Sequence, residues 1–108
     1  MTLDNNDAVG HCLFTVIESF ADKQTELVWQ QRFSKRLPPD VQKHALRKLV
    51  ILARAKDLND LKVPKGNALE RLSGTRAGQY SIRVNDQWRI CFRWSNGNAS
   101  DVEITDYH

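Results

Sequence analysis

The heptapeptide Trp88-Arg89-Ile90-Cys91-Phe92-Arg93-Trp94 alternates without interruption. Side chains along a strand point to opposite faces with a period of two. Trp88, Ile90, Phe92 and Trp94 therefore share one side, and Arg89, Cys91 and Arg93 the other. Such a strand must lay its apolar face on a core, and the cationic face that remains suits an anion. A chain of 108 residues supports a single core and so a single domain.

The segments around this strand also read as β-structure. Ala68 to Leu72 forms a short strand, and Ser73-Gly74-Thr75-Arg76-Ala77-Gly78 a loop. Tyr80, Ile82 and Val84 alternate with Ser81 and Arg83, and Asn85-Asp86-Gln87 turns the chain into the central strand. Asn96-Gly97 marks a hairpin, because both residues tolerate the positive φ of a type I′ turn. Val102 and Ile104 begin the last strand, which ends at Thr105-Asp106-Tyr107-His108.

The first half has a different period. An apolar, β-favouring run predicts a first strand within residues 13–20. Asp22 suits a helix N-cap with Glu26 in the first turns, and Leu27, Trp29 and Phe33 are the large apolar residues of a helix over 22–36. Leu37-Pro38-Pro39-Asp40 interrupts it, and a proline fits the first turn of the next helix. Val41, Ala45, Leu49, Leu52 and Ala53 recur at helical spacing, widened by Leu46 and Val50, over 39–55. Lys43, Arg47, Lys48 and Arg54 lie mostly off that stripe, as a solvated face or an RNA contact, and His44 is expected in solvent. Pro64-Lys65-Gly66-Asn67 is a turn. The expected architecture is α+β in two layers: an N-terminal strand, two helices, then a four-stranded antiparallel meander. The helices should cover Ile82, Val84, Ile90, Phe92, Val102 and Ile104. Arg83, Arg89 and Arg93 should lie on the far face, with Glu103 placed to pair with one of them.

Hydrophobic content of 41% and charged content of 27% fit a globular chain rather than a disordered one. No apolar run could span a bilayer. Asp4 and Asp7 stand where an export signal would carry positive charge, and Cys12 and Cys91 make no disulfide framework, so a reducing cytoplasm is expected. The net charge of +3 is modest. Clustering says more: Arg71, Arg76, Arg83, Arg89 and Arg93 all fall among the strands of the second half.

The run Leu72-Ser73-Gly74-Thr75-Arg76-Ala77-Gly78-Gln79-Tyr80-Ser81-Ile82-Arg83-Val84, then Trp88-Arg89-Ile90-Cys91-Phe92 and the ending Asp106-Tyr107-His108, closely resembles the HigB branch of the RelE-type toxins of type II toxin–antitoxin pairs, the plasmid-maintenance killer family. Leu37-Pro38-Pro39-Asp40, the stretch Ala45-Leu46-Arg47-Lys48-Leu49, and Val63-Pro64-Lys65-Gly66-Asn67 fit as well. Coverage runs from about Val16 to the last residue. Met1 to Thr15 is then an extension expected to add little to a toxin domain over 16–108.

The resemblance implies a ribosome-dependent messenger-RNA endonuclease that inhibits translation without a metal or other cofactor. It also implies neutralisation by a HigA-like helix-turn-helix antitoxin, with operator DNA bound only through that complex and no membrane partner. It carries the catalytic site onto Arg89, Asp106, Tyr107 and His108. Arg76 in the glycine loop is a candidate second phosphate contact, with Lys65, Arg71, Arg83 and Arg93 as further substrate-binding candidates. Arg89 would grip phosphate with its planar fork, and His108 is the candidate for proton transfer, since an unperturbed histidine changes charge near neutral pH. Some members carry a histidine where this chain has Glu70, which leaves the base open. On an unbroken strand Asp106 and His108 fall on the side of Val102 and Ile104, and Tyr107 on the side of Thr105. All three reach Arg89 only if the strand twists, bulges or ends early. Two other functions share the scaffold: a ParE-like gyrase inhibitor, and an RNA- or ribosome-binding module that does not cut.

Overall fold

A computed structural model describes residues 15–106. Helix α1 spans Lys23–Trp29 and helix α2 Pro39–Arg54. Four strands follow: β1 Glu70–Arg71, β2 Gln79–Arg83, β3 Trp88–Ser95 and β4 Asn98–Asp106. They pair antiparallel in sequence order, a meander with the helices on one side. The architecture is the α+β fold expected from the period-two and helical stripes.

The register follows from the alternation. Ile82 stands opposite Ile90 and Ile90 opposite Ile104, and all three are buried, as are Phe92 and Val102. From α2, the buried residues Val41, Ala45, Leu49, Leu52 and Ala53 form the facing stripe. Between β3 and β4, Asn96 and Gly97 both take positive φ (52° and 79°), the type I′ requirement. Asp101, at φ 50°, adds one residue to β4, so the pairing steps from Cys91–Glu103 to Arg93–Ser100. That bulge restores parity between an eight-residue and a nine-residue strand.

Three expectations change. The first strand is not a regular ladder: residues 16–21 run parallel to β4 through two isolated bridges, Ile17–Ala99 and Phe20–Val102. The β4 bulge lies between those bridges and interrupts the pairing. Ala99 N donates to Val16 O at 2.8 Å, and Ala21 N to Val102 O at 2.9 Å. The segment thus still covers the β4 edge, which an uncovered sheet would leave open to other chains. Beyond it, Thr25 Oγ1 accepts from Ile104 N at 2.8 Å and donates to the cap Asp22.

The first helix ends at Trp29, not at 36. Gln31 adopts φ 62°, and the amides of Gln31 and Arg32 donate back to Val28 O and Leu27 O. This is a Schellman closure built without the usual glycine. Phe33, expected on that helix's apolar face, instead lies in the following loop and is 66% exposed. The strand expected over 68–72 shrinks to two residues, because Ala68 takes a left-handed conformation at φ 45°. Residues 1–14, nearly the whole expected extension, lie outside the described residues.

Candidate active site

The far face of the sheet is not a bare row of arginines. The register sets Glu70 against Ser81, Ser81 against Cys91, and Cys91 against Glu103, all on the side of Arg89. Arg89 Nε donates to Ser81 Oγ at 2.7 Å, and its Nη2 to the Ala68 carbonyl at 2.5 Å. The Glu70 carboxylate stands 3.8 Å from the same nitrogen. The Arg89 side chain is only 13% exposed. A guanidinium oriented by two neutral oxygens keeps its charge in a fixed direction, which is what recognition of a planar anion requires.

Beside it, Arg76 reaches across the sheet from the glycine loop. Its Nη1 donates to Gln79 Oε1 at 2.9 Å, and both terminal nitrogens lie 3.3 Å from Glu103 Oε1. Glu103 therefore pairs with Arg76, and not with Arg83, Arg89 or Arg93 as the alternation suggested. The loop curls back over β3 and β4 and supplies the nearer cation. Cys91 is buried beneath this pair. Burial pushes its thiol up and Glu103 adds to that, while the Thr105 hydroxyl, Arg76 and Arg89 pull the other way. The thiol is thus held as a neutral filler, not as a thiolate nucleophile.

The other candidates are distributed more widely. Arg83 pairs with Asp86, and Arg93 lies 3.5 Å from Asp101. Lys65 is exposed in a short 3₁₀ turn. Arg71 stands opposite Tyr80, which puts it in register with the helix-covered side rather than with Arg89. Asp106 stands opposite Trp88 at the end of β4 and accepts from Gln87 Nε2 at 3.0 Å. Because β4 stays paired through Asp106, that residue is on the opposite face from Arg89. Tyr107 and His108 lie outside the described residues. Arg89 is thus brought together with Glu70 and Ser81, and Arg76 with Glu103 and Gln79.

Sequence reasoning missed Ser81 and the Ala68 carbonyl. Ser81 was legible in principle, since it shares a face with Arg83 by period two. A backbone acceptor leaves no trace in composition. The sequence marks Glu70 only as a departure from the histidine of some members, and its nearness to Arg89 follows from the β1–β2 register, which no local pattern specifies. Among the described residues no His, Cys, Asp or Glu cluster could hold a metal ion, and no helix is long and apolar enough to cross a membrane.

These features define a small RelE-like α+β domain: a meander backed by two helices, with an arginine held rigidly on its outer face. A family profile described as the RelE-like toxin of the type II toxin–antitoxin system HigB matches residues 18–108. The chain is 43% identical over 86 residues to Toxin HigB-1 of Vibrio cholerae, spanning 79% of this chain and 90% of that protein. It is 29% identical over 93 residues to Endoribonuclease HigB of Proteus vulgaris, spanning 86% of this chain and all of that protein. An uncharacterised protein of Haemophilus influenzae is 33% identical over 69 residues, 64% of this chain and 68% of its own length. The chain belongs to the HigB-like, RelE-type toxins of type II toxin–antitoxin systems, a family defined by pairing with an antitoxin.

Proposed function

We propose that the chain is an endoribonuclease that cuts messenger RNA on the ribosome and so inhibits translation. The observation that carries this reading is Arg89, a nearly buried guanidinium oriented by Ser81 and Ala68 with a carboxylate beside it. The Proteus vulgaris relative, Endoribonuclease HigB, supports the same activity.

Cleavage would use the 2′-hydroxyl adjacent to the scissile phosphate as nucleophile. Its proton goes to a base, negative charge builds on the phosphoryl oxygens, and the 5′ oxygen leaves with a proton from an acid. Arg89 stabilises the developing charge. An arriving phosphate competes with Glu70 for the guanidinium, and the displaced carboxylate is then beside the substrate as a proton acceptor. His108 serves as the acid and Tyr107 stacks on a base or hydrogen-bonds the phosphate, while Asp106, on the opposite face from Arg89, orients the His108 imidazole rather than a substrate hydroxyl. Arg76 is the second phosphate contact once Glu103 releases it. Lys65, Arg71, Arg83 and Arg93 contribute positive potential along the RNA path. The neutralising partner is a HigA-like helix-turn-helix antitoxin, and the complex reaches operator DNA through that partner.

The test is mapping of 5′ ends in ribosome-bound transcripts after brief induction. Arg89→Ala should lower cleavage by about 10²-fold, the scale of one lost transition-state contact, and Glu70→Gln by about 10²-fold or more. Intact transcripts with gyrase inhibited would support the ParE-like reading instead, and ribosome binding without new ends would support the non-cutting module.

A further inference from the structure

The loop between the helices carries Arg32-Phe33-Ser34-Lys35-Arg36, three cations around one aromatic residue. Phe33 is 66% exposed. Arg32, Lys35 and Arg36 are also exposed, and none pairs with a carboxylate among the described residues. A loop with so much unpaired charge and apolar surface would be expected to move, yet this one is pinned at its centre. Ser34 is fully buried. Its amide donates to Gln42 Oε1 at 2.9 Å, and Gln42 Nε2 returns bonds to the carbonyls of Ser34 (2.8 Å) and Leu37 (2.7 Å). The Ser34 hydroxyl donates to Gln24 Oε1 and accepts from Arg36 N. Side chains from both helices thus hold the backbone on either side of the exposed ring.

Burying the small Ser34 turns its larger neighbours outward, which explains why Phe33 cannot fold back onto the core. The loop runs into Pro38, Asp40 and Val41, which with Asn85, Asp86, Gln87 and Trp88 line an open groove of about 440 Å³. Gln87 in that groove donates to Asp106, so the start of α2 and the end of β4 meet there, while residues 32–36 lie outside its lining. A rigid aromatic face flanked by unpaired cations matches unpaired RNA, whose bases stack on rings while its phosphates contact guanidinium and ammonium groups.

We propose that residues 32–36 form a second RNA-binding element, separate from the cleavage site, in which Phe33 stacks on an unpaired base and Arg32, Lys35 and Arg36 contact the neighbouring phosphates. The choice of RNA as the polymer rests on the proposed nuclease function.

The test measures binding apart from cutting. The full-length chain is titrated against a labelled, unstructured 2′-O-methyl RNA of ~12 nucleotides, which lacks the nucleophile and survives the experiment. Phe33→Ala should weaken binding roughly 10-fold, the scale of one base–aromatic stack, and Phe33→Trp should retain it. Replacing Arg32, Lys35 and Arg36 with Gln should flatten the salt dependence by about 2, at about 0.7 for each lost phosphate contact. Unchanged affinity in Phe33→Ala would overturn the proposal. So would loss of antitoxin binding in that variant with RNA affinity intact, since the loop would then be a protein-docking element. Failure of Arg89→Ala to affect cleavage would remove the nuclease assignment while leaving this binding result standing.

Discussion

Replacing Asn67 with Ala should remove more stability than any surface position of similar size, and should loosen Arg89 as well. Asn67 is fully buried, and its side chain is used at both ends. Nδ2 donates to the carbonyls of Leu61 at 3.1 Å and Val63 at 3.3 Å, while Oδ1 accepts from Lys48 Nζ at 2.6 Å. Alanine leaves the buried Leu61 carbonyl without that donor, at about 1–3 kcal/mol. The Val63 carbonyl and the Lys48 ammonium are closer to water and add little. The space vacated by the amide adds roughly 1 kcal/mol. The sum is about 2–4 kcal/mol. With a urea m-value of roughly 2 kcal/mol/M for a domain of this size, the midpoint should fall by about 1–2 M at unchanged m. Asn67→Asp keeps an acceptor for Lys48 but loses both donors, so it should resemble Ala if the carbonyls dominate. Because Ala68 follows directly and its carbonyl holds Arg89, RNA cleavage should also decline in Asn67→Ala at temperatures where the variant remains folded. A midpoint within ~0.3 M of the parent chain would refute the reasoning, since it would mean that water satisfies the Leu61 carbonyl as well as the amide does.

Leu49→Ala, at the centre of the α2 stripe and fully buried, should cost about 2–5 kcal/mol in the same urea assay. Gly78 sits at φ 92°, and a Cβ there would lie 3.0 Å from Arg93 Nη1. That half-exposed side chain can swing away, so Gly78→Ala should cost mainly the backbone strain, roughly 1–2 kcal/mol by thermal melting. Two groups titrate in opposite senses at alkaline pH. Burial, joined by repulsion from Arg83, lowers Lys48 below its ordinary 10.5, so just under that pH the unfolded chain holds more protons and stability rises with pH. Burial raises the Cys91 thiol above its ordinary 9.0, so above that pH the unfolded chain loses its proton first and stability falls. Urea midpoints from about pH 8 upward should lose the rise in Lys48→Gln and the fall in Cys91→Ala, and parallel curves for all three proteins would contradict the assignment.

The local pattern already determined the α+β class, the meander, the Asn96-Gly97 turn and the identity of the core face, because each depends on a period or a dipeptide within one segment. Val41, Ala45, Leu49 and Leu52 could face only one way, and so could Ile82, Ile90 and Phe92. Features that depend on pairing between distant segments were not legible. Gln31 ends α1 in a left-handed conformation that glycine usually adopts, so no residue type announced the stop or the exposure of Phe33. The partner of Glu103 is decided by how the glycine loop folds over the sheet, and the nearness of Glu70 to Arg89 by the register of β1 on β2. Strand periodicity says which residues share a face but not which segment lies alongside. That choice belongs to tertiary packing, where burial of Ser34, Asn67 and Cys91 outweighs local preference and sets where each arginine finds its oxygen.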